Sequence, residues 1–166
     1  MNTKNEAASE VQMVAFKLEK EEFAIDIHQV REVLKMPQVT PLPQSASFIE
    51  GIINLRGEVI PVVDLRKRFE LPAGERNGKT RIIIVEIQDN NVGLIVDSVT
   101  EVLRLASSVI QLPPSRVAGT RTDLIKGVGK IAERLLIVLN LEKILTTEER
   151  IVLDEVTLND MESAKA

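Results

Sequence analysis

The feature that most constrains the fold is an internal duplication, because two parts of the chain repeat one pattern at a nearly constant spacing. Residues 30–34 (VREVL) correspond to residues 99–103 (VTEVL), 69 positions later. Further along, residues 48–65 correspond to residues 124–141 at a spacing of 76. Most of the added residues fall in RVAGTRTD, a polar, glycine-containing stretch typical of a loop.

This spacing predicts two similar halves, about 11–68 and 79–142, joined by the turn-rich segment ELPAGERNGK. Together with a C-terminal helix, the halves form one domain over about 11–155. We expect flexible tails over 1–10 and 157–166.

Each half begins with a predicted β-hairpin. QMVAFKL and FAIDI flank a polar turn in the first half, and RIIIVEI and VGLIV do so in the second. Only 2% of the residues are aromatic, so Val, Ile and Leu must build the core, and branched side chains favour sheets. Short strands separated by Pro and Gly predict a mainly β fold, a small closed barrel or sandwich. Helical spacing in IHQVREVLK predicts one or two turns, and a capping box at Thr146 and Glu149 predicts a final helix over about 147–156.

Composition excludes several classes of function. A net charge of −4 with scattered cations argues against a nucleic-acid partner. The sequence has no apolar run of about 18 residues and no signal-peptide core, so no membrane insertion is expected. The absence of cysteine removes disulfides and thiolate chemistry and favours a reducing cytoplasm.

The inventory of reactive side chains predicts no catalytic residue, no metal site and no cofactor. His28 is the only histidine, and with Asp26 it supplies too few ligands for a metal, so a solvated loop position is favoured. Asp64 and Asp97 follow apolar runs and are interpreted as acceptors at strand ends. A small-ligand-binding β-barrel or a cryptic hydrolase remains open on composition alone.

Arg56 and Gly57 stand between two apolar strands and predict a tight hairpin turn, with Gly57 at a positive φ. Pro61 in the second strand indicates a sheet edge or a bulge. In the second half the pair is replaced by Ala132 and Glu133, so the fold does not require it. Arg56 is therefore either a structural turn residue or a donor that meets an acidic or carbonyl-rich partner, and the binding role is favoured.

GIINLRGEVIPVVDLR, preceded by EEFAIDIHQVREVLKMPQVTPLP and followed by VGLIVDSVTEVLRL, closely resembles the CheW family of bacterial chemotaxis coupling proteins. The resemblance covers about 11–155. It implies two five-stranded SH3-like β-barrels packed around a shared apolar core. It also implies a non-enzymatic cytoplasmic adaptor, recruited to membrane-associated arrays. Its partners would be the cytoplasmic tips of methyl-accepting chemoreceptors and the regulatory domain of the histidine kinase CheA.

By position, the resemblance implies three sets of residues. The kinase-binding set is Val14, Ile27 and Val30; the receptor-binding set is Glu32, Val33, Arg56 and Val99; the family motif is Asn54, Leu55, Arg56 and Gly57. Strand alternation alone would instead place Val14 and Ile27 in the core. Within the family, the short tail after residue 155 favours a stand-alone adaptor over the kinase's own domain. A scaffold for another chemosensory pathway, such as surface motility, is the alternative.

Overall fold

The computed structural model describes residues 9–43, 48–72, 74–112 and 124–144, which form a mainly β structure. The strands in these ranges are β1 (Glu10–Leu18), β2 (Glu21–Asp26), β3 (Val30–Lys35), β4 (Ile49–Leu55), β5 (Glu58–Asp64), β6 (Arg81–Ile87), β7 (Asn90–Val96), β8 (Ser98–Ala106), β9 (Ile110–Gln111), β10 (Ile125–Ile131) and β11 (Arg134–Leu139). A four-residue helix, α1 (Leu65–Arg68), follows β5. Three-residue 3-10 turns lie at Ile27–Gln29, Ser107–Val109 and Leu141–Lys143.

The duplication is visible in the turn geometry. Hairpins β1–β2, β4–β5, β6–β7 and β10–β11 are each closed by two residues, and the first of the two has a left-handed φ in every case. These φ values are 58° at Glu19, 51° at Arg56, 49° at Gln88 and 53° at Ala132. Such turns match the right-handed twist of the flanking strands. The repeat therefore specifies backbone conformation even where residue identity differs.

The strands form two sheets that do not coincide with the two halves of the sequence. The six-stranded sheet has the order β8-β1-β2-β11-β10-β9, and the five-stranded sheet has the order β3-β6-β7-β5-β4. The first hairpin, β1–β2, thus joins the strands of the second half, whereas β6–β7 joins those of the first. Each sheet is completed by a hairpin from the other half.

Both sheets are curled. β8 and β9 are opposite edges of the six-stranded sheet, yet only Ser107–Val109 separates them in the chain. Six flat strands would place these edges about 24 Å apart, at roughly 4.8 Å per strand. Three linking residues reach at most about 14 Å, so the sheet must roll up. In the five-stranded sheet, edge strand β3 is followed by Thr40, which bridges to Ile52 in the other edge strand, β4.

Three apolar clusters fill this structure. The largest lies between the sheets and combines residues such as Phe16 and Ile25 of the six-stranded sheet with Ile83 and Leu94 of the five-stranded sheet. The other two lie within the individual sheets. The predicted mainly β architecture, two curled sheets around a shared apolar core, is confirmed.

Three details differ from the prediction or fall outside the structure. Only Ile27–Gln29 of the segment IHQVREVLK is helical, and Val30–Lys35 is a strand, because its alternating burial suits an edge strand better than a helix. One sheet has six strands rather than five, since the short β9 pairs with β10. The C-terminal helix predicted over 147–156 lies outside the described residues, as do most of the two predicted tails.

Pro61 lies in β5, an interior strand, so the sheet edge, the first of the two predicted alternatives, is wrong. The second alternative, a bulge, has a counterpart close by, since the register of β4 against β5 shifts between Ile49 and Gly51. Its partner in β4 is Ile52, whose N–H and C=O both bond to Thr40 at 2.9 Å. On the other side, pairing of β5 with β7 begins only at Val62. The missing N–H of Pro61 therefore interrupts neither ladder.

Candidate functional site

The motif residues build a rigid turn at the end of the β4–β5 hairpin. Arg56 and Gly57 have φ values of 51° and 88°, the signs that a type I′ turn requires at its two central residues. The Asn54 side chain accepts a hydrogen bond from the Gly57 N–H at 2.9 Å. This bond orders the turn without using the guanidinium of Arg56, which is therefore available to other groups.

Arg56 forms an ion pair with Glu32 of the edge strand β3. Its Nη1 donates to Glu32 Oε1 at 3.5 Å, and its Nη2 forms a shorter contact with Oε2. The Arg56 side chain is 70% exposed. Hydrogen bonding to the Glu32 carboxylate raises the pKa of Arg56. Two residues of the predicted receptor-binding set, 24 positions apart in sequence, are therefore brought together in space.

The other two members of that set are placed differently. Val33 follows Glu32 in β3 and is 40% exposed, so its side chain is open to a partner. Val99 lies in β8 of the six-stranded sheet, where it pairs with Phe16 and packs against the core cluster between the sheets. We call the Arg56–Glu32 ion pair, together with Val33 on the other face of the same edge strand, the Arg56 rim. Val99 lies in the other sheet.

The predicted kinase-binding set lies at the cluster between the sheets. Val14 is only 4% exposed and is part of this cluster, as the core alternative predicts. Ile27 and Val30 are partly buried and pack against the same cluster; Ile27 lies in the connection from β2 to β3, and Val30 begins β3. Of the three, Ile27 and Val30 retain surface that a partner can reach.

Val102 is an exposed apolar residue that the sequence reasoning did not single out. It is 55% exposed, lies in register beside Val14, and is the counterpart of Val33, 69 positions later. Both valines therefore sit at the same position on the edge strand of a sheet. The duplication was the signal that could have identified Val102, once Val33 had been chosen.

The polar groups considered for chemistry have structural roles. The His28 side chain is 83% exposed, and its Nδ1 lies 3.0 Å from Asp26 Oδ1, which also accepts from the His28 N–H. The Asp64 side chain accepts from the Arg66 N–H at 2.9 Å and begins α1. Both observations agree with the predicted loop histidine and strand-end acceptor.

The described residues contain no group of three or more His, Cys, Asp or Glu residues placed to hold a metal ion. Nor does any helix within them have the length and apolar character of a membrane span.

Comparison with known proteins agrees with this geometry. Residues 12–149 match the family model of the CheW-like domain. The chemotaxis protein CheW of Klebsiella aerogenes is 34% identical over 145 residues, covering 87% of each chain. That of Bacillus subtilis is 38% identical over 136 residues, covering 82% of this chain and 87% of the relative.

A third relative, protein FrzA of Myxococcus xanthus, is 28% identical over 144 residues, covering 86% of this chain and 89% of the relative. Among solved structures, the scaffolding protein TtCheW from Thermoanaerobacter tengcongensis is 38% identical, with a TM-score of 0.79. The match covers 85% of this chain and 91% of that one. The fold, the Arg56 turn and these similarities together show that the chain belongs to the CheW family.

Proposed function

We propose that this protein is a non-enzymatic chemotaxis adaptor that couples methyl-accepting chemoreceptors to the histidine kinase CheA. It acts in the cytoplasm, at membrane-associated receptor arrays, and holds the two partners at a fixed geometry. The observation that carries the proposal is the Arg56 rim. A guanidinium held on a rigid turn suits a partner that presents a carboxylate, and the exposed Val33 of the same edge strand offers apolar area to the partner.

The duplication supports a binding role for Arg56. Ala132 takes the same left-handed position in the second half, with a φ of 53°, so the turn forms without arginine. Glu32 also recurs as Glu101, which pairs with Arg134, a residue of β11 outside the turn. The fold therefore accounts for the turn, and binding of a receptor tip accounts for the arginine.

The kinase would bind a different surface. Ile27 and Val30 offer partly exposed apolar area at the connection between the sheets, and Val14 supports them from beneath. A contact between barrels at this place would bury on the order of 800 Å² per partner. Because the Arg56 rim and this surface lie on one packed core, binding at both would join kinase and receptor without any chemical step.

Binding measurements with Arg56→Ala test the receptor contact. We expect the affinity for a receptor-tip fragment to fall about 30-fold, the size of a binding hot spot, while affinity for the kinase regulatory domain stays within about twofold. Lys20→Ala is the matched control, since Lys20 is an exposed cation in another two-residue turn. Unchanged receptor binding by Arg56→Ala would contradict the assignment. Failure of the wild-type protein to stimulate the kinase in the presence of receptor would refute the adaptor function.

A second candidate is coupling in another chemosensory pathway, such as one for surface motility. The similarity to FrzA favours it. Pull-down from cell extract, followed by identification of the captured receptors and kinase, distinguishes the two pathways.

A further inference from the structure

The chain passes between the two sheets at two places within the described residues. The first is Ile27–Gln29, which leads from β2 of the six-stranded sheet to β3 of the five-stranded sheet. The second is Asp97, the single residue between β7 and β8. His28 and Asp97 are 69 positions apart, so the two crossings are equivalent in the duplication.

Asp97 is tied to the six-stranded sheet. Its N–H donates to the carbonyl of Lys17 at 3.0 Å, and its Oδ2 accepts from the N–H of Glu19 at 2.9 Å. Glu19 is the left-handed residue of the β1–β2 turn. The carboxylate of Asp97 thus holds the tip of the hairpin that the first half contributes to this sheet.

Arg66 brings the five-stranded sheet to the same point. It lies in α1, directly after β5, and its Nε donates to Asp97 Oδ1 at 2.7 Å. Its Nη1 lies 2.7 Å from a carboxylate oxygen of Glu19 and donates to the carbonyl of Pro72 at 2.8 Å. The side chain is only 19% exposed. A single guanidinium therefore joins α1, the β1–β2 turn, the crossing residue and the segment that links the halves.

The other crossing carries a weaker tie at the equivalent place. The position that corresponds to Arg66 in the second half is Glu142, 76 residues later, and its Oε1 accepts a hydrogen bond from Gln29 Nε2 at 3.4 Å. Arg66 instead pairs with two carboxylates, those of Asp97 and Glu19. Arg66 therefore adds a charge-assisted, directional tie at its crossing, whereas apolar packing between the sheets is non-directional.

We propose that Arg66 is a positioning residue that fixes the angle between the two sheets, and so sets the geometry in which the adaptor presents one partner to the other. This inference rests on the proposed adaptor function. The receptor-facing Arg56 rim belongs to the five-stranded sheet, whereas the proposed kinase-facing surface rests on Val14 of the six-stranded sheet and on Ile27 and Val30, where the chain crosses to β3. A small change in the angle between the sheets would misalign the bound partners more than it would alter either local contact.

The test compares Arg66→Gln with Arg134→Gln. Arg134 also bonds to two carboxylates, Glu22 and Glu101, but all three residues belong to the six-stranded sheet. For Arg66→Gln we expect binary affinities for the receptor-tip fragment and the kinase regulatory domain within about twofold of wild type. Stimulation of the kinase in the ternary complex should fall at least about fivefold. Arg134→Gln should keep that stimulation.

The angle itself can be followed by distance measurement between two spin labels, because the chain has no native cysteine. Labels on cysteines introduced at the exposed positions Lys35 and Lys126 report on the five-stranded and six-stranded sheets respectively. Arg66→Gln should broaden or shift the distance distribution, and Arg134→Gln should not. An unchanged distribution in Arg66→Gln overturns the inference, even if the wild-type protein proves not to be an adaptor.

Gly74→Val provides a second variant that keeps the charge of Arg66. A Cβ at Gly74 would lie 2.5 Å from the Arg66 guanidinium carbon, so the added side chain displaces the guanidinium. We expect the same loss of coupling as for Arg66→Gln. Full ternary stimulation by both variants, or a loss of binary affinity that accounts for all of the lost stimulation, would overturn the positioning role.

Discussion

Gly51→Ala should be among the most damaging single-methyl additions in this protein. Gly51 lies in β4 at a φ of 148°, beside a shift in the β4–β5 register. An added Cβ would lie 2.0 Å from the carbonyl oxygen of Thr40 and 2.7 Å from its carbonyl carbon. Because these are backbone atoms, the clash cannot be relieved by a side-chain rotation. It must separate Thr40 from β4 and open the contact that closes the five-stranded sheet.

The expected loss of stability has two contributions. Separation removes the two hydrogen bonds between Thr40 and Ile52, each 2.9 Å long, at a cost of about 1 to 3 kcal/mol together. Holding an alanine at a glycine-type φ costs about another 1 to 3 kcal/mol. The unfolding free energy should therefore fall by about 2 to 6 kcal/mol.

Gly57→Ala is the matched control, because Gly57 has a φ of 88° but nothing lies within 4 Å of its added Cβ. The unfolding free energy of Gly57→Ala should fall only by the cost of holding alanine at a positive φ, about 1 to 2 kcal/mol. Urea unfolding followed by far-UV circular dichroism measures both, as the chain has no Trp or Tyr for fluorescence. If the two variants differ by less than about 1 kcal/mol, the clash with Thr40 does not control stability.

Three further predictions concern single side chains. Hydrogen bonding from Arg134 lowers the pKa of Glu22 below 4.5. The ionised Glu22 carboxylate therefore stabilises the folded state above about pH 4.5, and this contribution is lost as the pH falls through the folded-state pKa. Glu22→Gln should then be less stable than wild type near pH 7, and the difference should shrink as the pH falls through the folded-state pKa of Glu22; a difference independent of pH would contradict this. Asn54→Ala should lower the unfolding free energy by about 1 kcal/mol, because it removes the acceptor for the Gly57 N–H. Asn54→Asp keeps an acceptor and should recover most of that stability in the same urea assay. Val14→Ala should lower the unfolding free energy by about 2 kcal/mol, because the Val14 side chain is buried and only 4% exposed. A loss of kinase binding without a loss of stability would instead favour an interface role for Val14.

Sequence reasoning predicted the parts of the fold that depend on local pattern. Strand alternation located the hairpins, and the duplication identified Gly51 and Gly127 as equivalent positions. The structure gives a physical reason for that pair, since an added Cβ at Gly127 would lie 2.9 Å from the backbone oxygen of Gln111. The Arg56 turn was also predictable, because a glycine between two apolar strands is typical of a hairpin.

What the sequence could not provide was the assignment of strands to sheets. A hairpin pattern is the same whether β1–β2 pairs with β3 or with β8 and β11, and only the three-dimensional packing distinguishes these arrangements. The helical spacing of IHQVREVLK was misleading for a related reason, since pairing of β3 with β6 overrode local preference. The contact between Glu32 and Arg56 likewise depends on how β3 and the β4–β5 turn meet, which no spacing rule describes.

The exchange of hairpins between the halves also has a consequence for how the chain folds. β1 must find β8, and β2 must find β11, across most of the length of the chain. Such distant pairings cost loop-closure entropy before they gain any stability, so folding should be slow for a protein of this size. Since neither sheet can be completed from one half alone, partial unfolding of either half removes strands from both sheets, and the molecule should unfold as a single cooperative unit.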